Sequence, residues 1–251
     1  MMKIEDRFYQ SRVALNVLAN SIENAKEVFE AADGYVLVGV LSKDYDSAET
    51  ASKAMKEYGE AIDDAVSIGL GAGDNKQAEV VADIAKYYPG SHINQVFPSV
   101  GSTRANLAGK DSWINALVSP TGRPGYVNIS TGPASADAAE TAIIPVKAAI
   151  ALVRDMGGNA LKYFPMKGLA YEEEFRSVAK ACGEEGFALE PTGGIHLNNF
   201  EDILHIALEA NVPKVIPHVY SSIIDKESGK TKTEDVRQLM DSVKKVVGLY
   251  D

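Results

Sequence analysis

NALKYFPMKGLAYEEEFRSVAKACGEEGFALE (159–190) reads as a strand, a helix and a second strand. NALKYF (159–164) is short and largely apolar, and FALE (187–190) has the same character. Between them YEEEFRSVAKACGEE (171–185) carries apolar residues at helical spacing. One residue does not fit. Lys162 sits inside the first apolar run, where its ammonium needs water or a partner.

The same alternation extends in both directions. Strand-like runs are expected at GYVLVGVL (34–41), VSIGL (66–70), HINQVF (92–97), INALVS (114–119), YVNIS (126–130) and KVIPHV (214–219). Helical spacing covers 47–65, with Ser47 as N-cap, and 75–88, ended by Pro89-Gly90. It also covers 135–156, with Pro145 as a kink or break, then 199–210 and 233–250. Residues 98–113 and 119–125 hold little helix. Eight strands mostly followed by helices favour a (β/α)8 TIM barrel over an open doubly wound sheet. The even composition predicts a single domain over residues 1–251.

Bulk properties exclude several classes. A formal charge of −10 argues against a general nucleic-acid or anionic-membrane binder, and leaves room for a small anion held by local donors. No run of ~18 apolar residues is present, so no membrane span is expected. The sole cysteine, Cys182, rules out an intrachain disulfide and a multi-cysteine metal site. MMKIEDRFYQSR lacks the layout of a secretory signal, and the expectation is a cytoplasmic protein. GLGAGDN (69–75) lacks the third glycine of a dinucleotide fingerprint, and the four histidines show no paired metal-ligand spacing. No cofactor and no metal are predicted.

In a barrel the chemistry sits at the C-terminal ends of the strands. Side chains alternate along a strand, so Lys162 and Phe164 share one face and Leu161, Tyr163 and Pro165 the other. Facing inward, the Lys162 amine enters a confined space where desolvation lowers its pKa. A neutral amine attacks a carbonyl carbon to give a Schiff base, which then acts as an electron sink. The competing reading is a strand-end lysine that reaches out to water. EPTGGIHLNN (190–199) follows the next strand. Its paired glycines let the backbone approach a phosphate, and Asn198 or Asn199 is placed to cap the following helix.

LKYFP, with PTGGI about thirty residues beyond the lysine, resembles the class I aldolases for 2-keto-3-deoxy-6-phosphogluconate (KDPG). HLNNFEDILHIAL resembles the helix after their glycine loop, so the likeness is strongest over 158–210. The whole chain, with its PHVYSSIID end, is most similar to a longer branch linked to sugar-acid and amino-sugar-acid breakdown. The resemblance implies that Lys162 forms the Schiff base and Phe164 lines the pyruvyl pocket. It implies that Thr192 lies beside the substrate, that Gly193 and Gly194 offer backbone donors to its phosphate, and that Ser221 or Ser222 adds a further contact. It also implies a phosphorylated keto-deoxy sugar acid as substrate and a homo-oligomer.

One departure stands out. The family carries a glutamate on strand two as its proton shuttle, and the stretch aligned with it, SIGLGAG, offers only Ser67. Glu190 shares a strand face with Thr192 and is the foremost replacement. Asp74 and His218 are the others. Arg104 and Arg123 follow strands and are weaker candidates for an anion. The alternatives to an aldolase of this type are another phosphosugar barrel enzyme, such as an epimerase or a metal-dependent aldolase, and a non-catalytic phosphosugar-binding protein.

Overall fold

A computed structural model describes residues 4–250. Its elements run β1 (Leu15–Leu18), α1 (Ile22–Ala31), β2 (Val36–Leu41), α2 (Ala48–Ala61), β3 (Val66–Gly69), α3 (Ala78–Tyr87), β4 (His92–Val96), α4 (Val100–Asn106) and β5 (Trp113–Val118). There follow β6 (Tyr126–Asn128), β7 (Ile143–Pro145), α5 (Val146–Asp155), β8 (Ala160–Tyr163), α6 (Glu172–Glu184), β9 (Ala188–Pro191), α7 (Leu197–Glu209) and α8 (Thr233–Val247). Seven strands form one parallel sheet in the order β1-β2-β3-β4-β5-β8-β9. The short pair β6 and β7 is antiparallel and stands apart. The result is an α/β fold.

The sheet curls until one segment reaches both of its edges. Val215 bridges Val13 on one side and Leu189 on the other, and His218 bridges Asn16 and Thr192. This is the expected strand KVIPHV, present as isolated bridges instead of a regular ladder. Pro217 has no N–H to donate, which breaks the ladder at its centre.

Three further expectations need correction. YVNIS is not in the parallel sheet: Tyr126–Asn128 pairs antiparallel with Ile143–Pro145, and Asn128 forms an isolated antiparallel bridge with Ser119 just beyond β5. The N-terminal strand Leu15–Leu18, absent from the sequence reading, takes the first place in the sheet. These errors cancel, so the lysine strand remains sixth and the glycine loop still follows the seventh. The helix expected over 135–156 starts only at Val146, with Pro145 as its N-cap, because the proline ring bars a preceding helical turn. Ser47 caps α2 as expected, accepting from the Thr50 N–H in a capping box.

Strand alternation divides the interior in two. Outward residues such as Leu161 and Tyr163 join the apolar core under the helices, where Tyr163 stacks on Phe175 of α6 at 6.2 Å. Inward residues at the N-terminal end of the sheet form a separate apolar plug: Ala14, Leu37, Trp113, Ala160, Ala188 and Ile216, with Phe8 closing it from below. Two residues further along the same strands stand Asn16, Asn115, Lys162, Glu190 and His218, all buried. The interior thus changes from apolar to polar within one strand repeat.

Candidate active site

Lys162 lies on the inward face of β8 with 7% exposure. Its Nζ donates to Asn94 Oδ1 of β4 at 2.9 Å. Burial pushes the amine down from 10.5 to about 8, partly opposed by the Glu190 carboxylate. At pH 7 about one such amine in ten is neutral, against about one in several thousand for an ordinary lysine. The sequence expectation of an inward, partly dry lysine is met.

Glu190 is the cross-strand partner of Lys162 on β9 and is fully buried. Its carboxylate is crowded with donors. His218 Nε2 lies 2.8 Å from Oε2, and Asn115 Nδ2 donates to the same oxygen at 2.6 Å. Trp113 Nε1 donates to Oε1 at 2.9 Å, and His92 Nε2 is 3.1 Å from each oxygen. Burial alone would raise this carboxyl, but the imidazoles of His92 and His218 outweigh it and hold Glu190 well below the usual range. It is therefore a carboxylate. The imidazole of His218 is pushed down to about 3 by burial and by the charge on Lys162.

The donors are themselves connected. Asn94 Oδ1 also accepts from Asn115 Nδ2, while Asn94 Nδ2 donates to Ser67 Oγ. Ser67 Oγ is 2.8 Å from His92 Nδ1 and accepts from Asn16 Nδ2 at 3.0 Å. The Tyr220 hydroxyl lies 2.9 Å from both Asn16 Oδ1 and His218 Nδ1. Such a network is favourable only when nearly every member is satisfied, and here each is.

Above this layer a cavity of about 340 Å³ opens at the C-terminal ends of the strands. Lys162, Phe164, Thr192, Gly193, Gly194 and Ser221 all line it, as do His218 and Tyr220. Gly193 and Gly194 have φ of +101° and +71°, which favours glycine. A Cβ on Gly194 would lie 2.6 Å from the Gly168 nitrogen, so the glycine loop packs directly on the loop after β8.

Other candidates fall elsewhere. Ser222 points away and donates to Ile195 O. Asp74 is outside the cavity wall and caps the short helical turn that follows it, accepting from Lys76 N. Arg104 is anchored to Gly157 O, Ser112 O and Asn159 Oδ1 at the opposite end of the strands, and Arg123 lies over the Tyr126 ring. Helix α7 is capped by His196, with Asn199 closing the capping box from within the first turn. Glu190 is not on the wall; it lies beneath, behind His218.

Sequence reasoning missed Lys43, Asn94 and Tyr220 on the wall. It also missed Asn16, His92, Trp113 and Asn115 behind it. The available signal was a polar residue repeating at alternate positions in apolar strands: His92 with Asn94, Trp113 with Asn115, His218 with Tyr220.

His92, Glu190 and His218 offer ligand atoms within 4.8 Å of one another, close enough for a metal ion. Yet both Nε2 atoms point at a carboxylate that Trp113 and Asn115 also supply with N–H groups. A cation there would have to displace these bonds and sit beside Lys162. The arrangement fits a carboxylate held by N–H donors better than a metal centre.

This combination, a buried lysine of lowered pKa under a glycine loop, is accompanied by a family match. The model of the KDGP aldolase family covers residues 9–227. The chain belongs to the KDGP aldolase family. It is 45% identical over 244 residues to a 2-dehydro-3-deoxy-phosphogluconate aldolase of Salmonella typhimurium, covering 96% of this chain and 98% of the relative. Solved structures share the fold at much lower identity. (S)-3-O-geranylgeranylglyceryl phosphate synthase from Thermoplasma acidophilum has a TM-score of 0.56 at 16% identity, over 98% of this chain and 100% of that one. Phosphoribosyl anthranilate isomerase from Thermus thermophilus has 0.55 at 14%, over 93% and 99%.

Within this KDGP aldolase family member the strand-two comparison also needs correction. SIGLGAG belongs to the third strand of the sheet, because β1 precedes β2. The true second strand, VLVGVL, holds neither glutamate nor arginine.

Proposed function

We propose that this aldolase works through a Schiff base on Lys162. It cleaves 2-dehydro-3-deoxy-6-phosphogluconate, or a close epimer, to pyruvate and glyceraldehyde 3-phosphate. The observation that carries the reading is the buried Lys162 amine, lowered to about 8, at the floor of a cavity. The amine attacks C2 of the substrate. Loss of water gives an iminium, the C4 hydroxyl loses its proton, and the C3–C4 electron pair moves toward the iminium nitrogen. The aldehyde leaves, the enamine is protonated at C3, and hydrolysis frees pyruvate.

Phe164 and Thr192 flank the pyruvyl end on this reading, and Gly193, Gly194 and Ser221 receive the phosphate. Lys43 is the cation on the cavity wall besides Lys162, and no carboxylate lines that wall among the described residues. Two anionic groups on one substrate suit such a surface. The 214–219 segment serves as the eighth strand of a closed (β/α)8 barrel in a single domain, supported by its bridges to both edges. A homo-oligomer in the cytoplasm, without nucleic acid or membrane partners, completes the reading. Light scattering tests the assembly.

Borohydride reduction in the presence of pyruvate tests the chemistry. The expected result is a stable adduct on the peptide containing Lys162. An unmodified Lys162, or an adduct that persists in Lys162→Met, refutes it. Activity that vanishes with a chelator, without borohydride inactivation, would point to a metal-dependent reaction instead.

A further inference from the structure

Tyr220, His218 and Glu190 stand in a line. The Tyr220 hydroxyl is 2.9 Å from His218 Nδ1, and His218 Nε2 is 2.8 Å from Glu190 Oε2. Tyr220 and His218 line the cavity with Lys162, while Glu190 is sealed behind them. A hydroxyl, an imidazole and a buried carboxylate in this order form a proton relay. The carboxylate fixes which nitrogen carries the resting proton and stabilises the imidazolium once it forms.

Hydrogen-bond accounting supports both states of the relay. Trp113, Asn115 and His92 surround the Glu190 oxygens with N–H groups, so His218 Nε2 keeps its proton and donates it. His218 Nδ1 is then free to accept. A tyrosine hydroxyl has one proton and two acceptors within reach, His218 Nδ1 and Asn16 Oδ1. When His218 is neutral, the hydroxyl donates to Nδ1. When Nδ1 is protonated, Nδ1–H donates to the hydroxyl oxygen, which turns its own proton to Asn16. Asn16 is held for this by donating from its other end to Ser67 Oγ. Neither state leaves a buried proton without an acceptor.

We propose that Tyr220 is the group that exchanges protons with the substrate and that His218, positioned by Glu190, is the reservoir behind it. The proposal rests on the Schiff-base reading above. In cleavage the C4 hydroxyl proton passes to the Tyr220 oxygen while the Tyr220 proton passes to His218 Nδ1. The C4–O bond becomes a carbonyl, the C3–C4 bond breaks, and its electron pair yields the enamine. In the second half Tyr220 gives its proton to C3, His218 Nδ1 returns one to Tyr220, and the enamine nitrogen becomes an iminium again. No proton is gained or lost over the cycle. The charged and titratable groups around the relay are Lys162, Glu190 and His92. Glu190 is thereby a positioning residue, and the role left vacant on strand two falls to the eighth segment of the sheet.

The test separates this proposal from the one beneath it. Wild type, Tyr220→Phe and His218→Gln are incubated with pyruvate in D2O. Methyl exchange is followed by proton NMR, and adduct stoichiometry is measured after borohydride. Both variants are expected to reach the wild-type adduct stoichiometry, while exchange falls at least 100-fold in Tyr220→Phe. Tyr220→Phe with unchanged exchange overturns the relay. A wild type that gives no adduct overturns the Schiff base itself. His218→Gln guards against a local packing effect: a loss of exchange in Tyr220→Phe alone, with His218→Gln at the wild-type rate, overturns the role of His218. Thermal melts of both variants within a few degrees of wild type show that the fold is retained.

Discussion

Replacing Lys162 with methionine removes the buried amine and is expected to make the protein more stable. The lysine is an ordinary amine at 10.5 when unfolded and is held at about 8 when folded. At 1.36 kcal/mol for each tenfold change, burying it disfavours the folded state by about 3 kcal/mol wherever both states are protonated. Methionine has similar length, carries no charge, and fills the same volume. The variant loses the bond from Nζ to Asn94 Oδ1, worth about 1 kcal/mol, but that oxygen keeps its bond from Asn115. The net gain expected below pH 8 is about 2 kcal/mol. For a chain of this size that is about 4–8 °C in Tm.

The sign can be followed with pH. Between about 8 and 10.5 the unfolded lysine holds a proton and the folded one does not, so wild-type stability rises with pH in that window. The methionine variant lacks this contribution. Its advantage is therefore constant below about pH 8 and shrinks as pH approaches 10.5. Urea unfolding of both proteins at pH 6 to 10 measures the gap. A variant less stable than wild type at pH 7, or a gap that does not change with pH, would show that the lysine is not a buried, destabilised amine.

The rate should follow the same group. A protonated amine is not a nucleophile, so kcat/KM is expected to rise about tenfold per pH unit up to about pH 8 and then level off. A flat profile from pH 6 to 9 argues against a free-amine requirement. Lys43→Met is expected to raise KM at least tenfold with a smaller effect on kcat, since it removes a cation from the cavity wall; steady-state kinetics check this. Glu190→Gln places an amide among four N–H partners and should cost about 3–5 kcal/mol in urea unfolding. Gly194→Ala puts a Cβ 2.6 Å from the Gly168 nitrogen at φ +71°, so Tm falls and activity with it; a neutral effect would mean the two loops do not pack as described.

Much of the site was legible because it lies in consecutive units. Lys162, Phe164 and the glycine loop belong to one strand–helix–strand segment whose internal spacing fixes their proximity. The fold class followed from the alternation of strand and helix. What escaped was set by long-range pairing. Leu15–Leu18 is a short run near the start, and its strand character depends on pairing with Val36–Gly39. YVNIS has strand composition, but it pairs with Ile143–Pro145 outside the parallel sheet. Asn16, Ser67 and Asn94 look like stray polar residues in apolar strands. Only curling of the sheet brings positions up to about two hundred residues apart into one network, such as Asn16 with Tyr220. Glu190 was read as inward, and it is. Its burial behind His218 depends on the widths of side chains on neighbouring strands, which no local pattern encodes.

The position of Glu190 also explains why Lys162 is lowered to about 8 and not further. Burial alone would drive the amine lower still, and the Glu190 carboxylate holds it up. A fully apolar surrounding would give more neutral amine, hence faster attack. Yet the proposed Schiff-base reaction next needs a cation on that same nitrogen, as the iminium. A site that merely desolvated the lysine would disfavour the iminium by the same physics. A fixed carboxylate nearby, already supplied with N–H donors and unable to move, stabilises the developing cation without reorganising. The two demands oppose each other, and a value near 8 is where a useful fraction of neutral amine coexists with a countercharge for the iminium. In this chain the balance comes from the polar layer of the sheet interior, where Glu190 is held next to Lys162 on the adjoining strand.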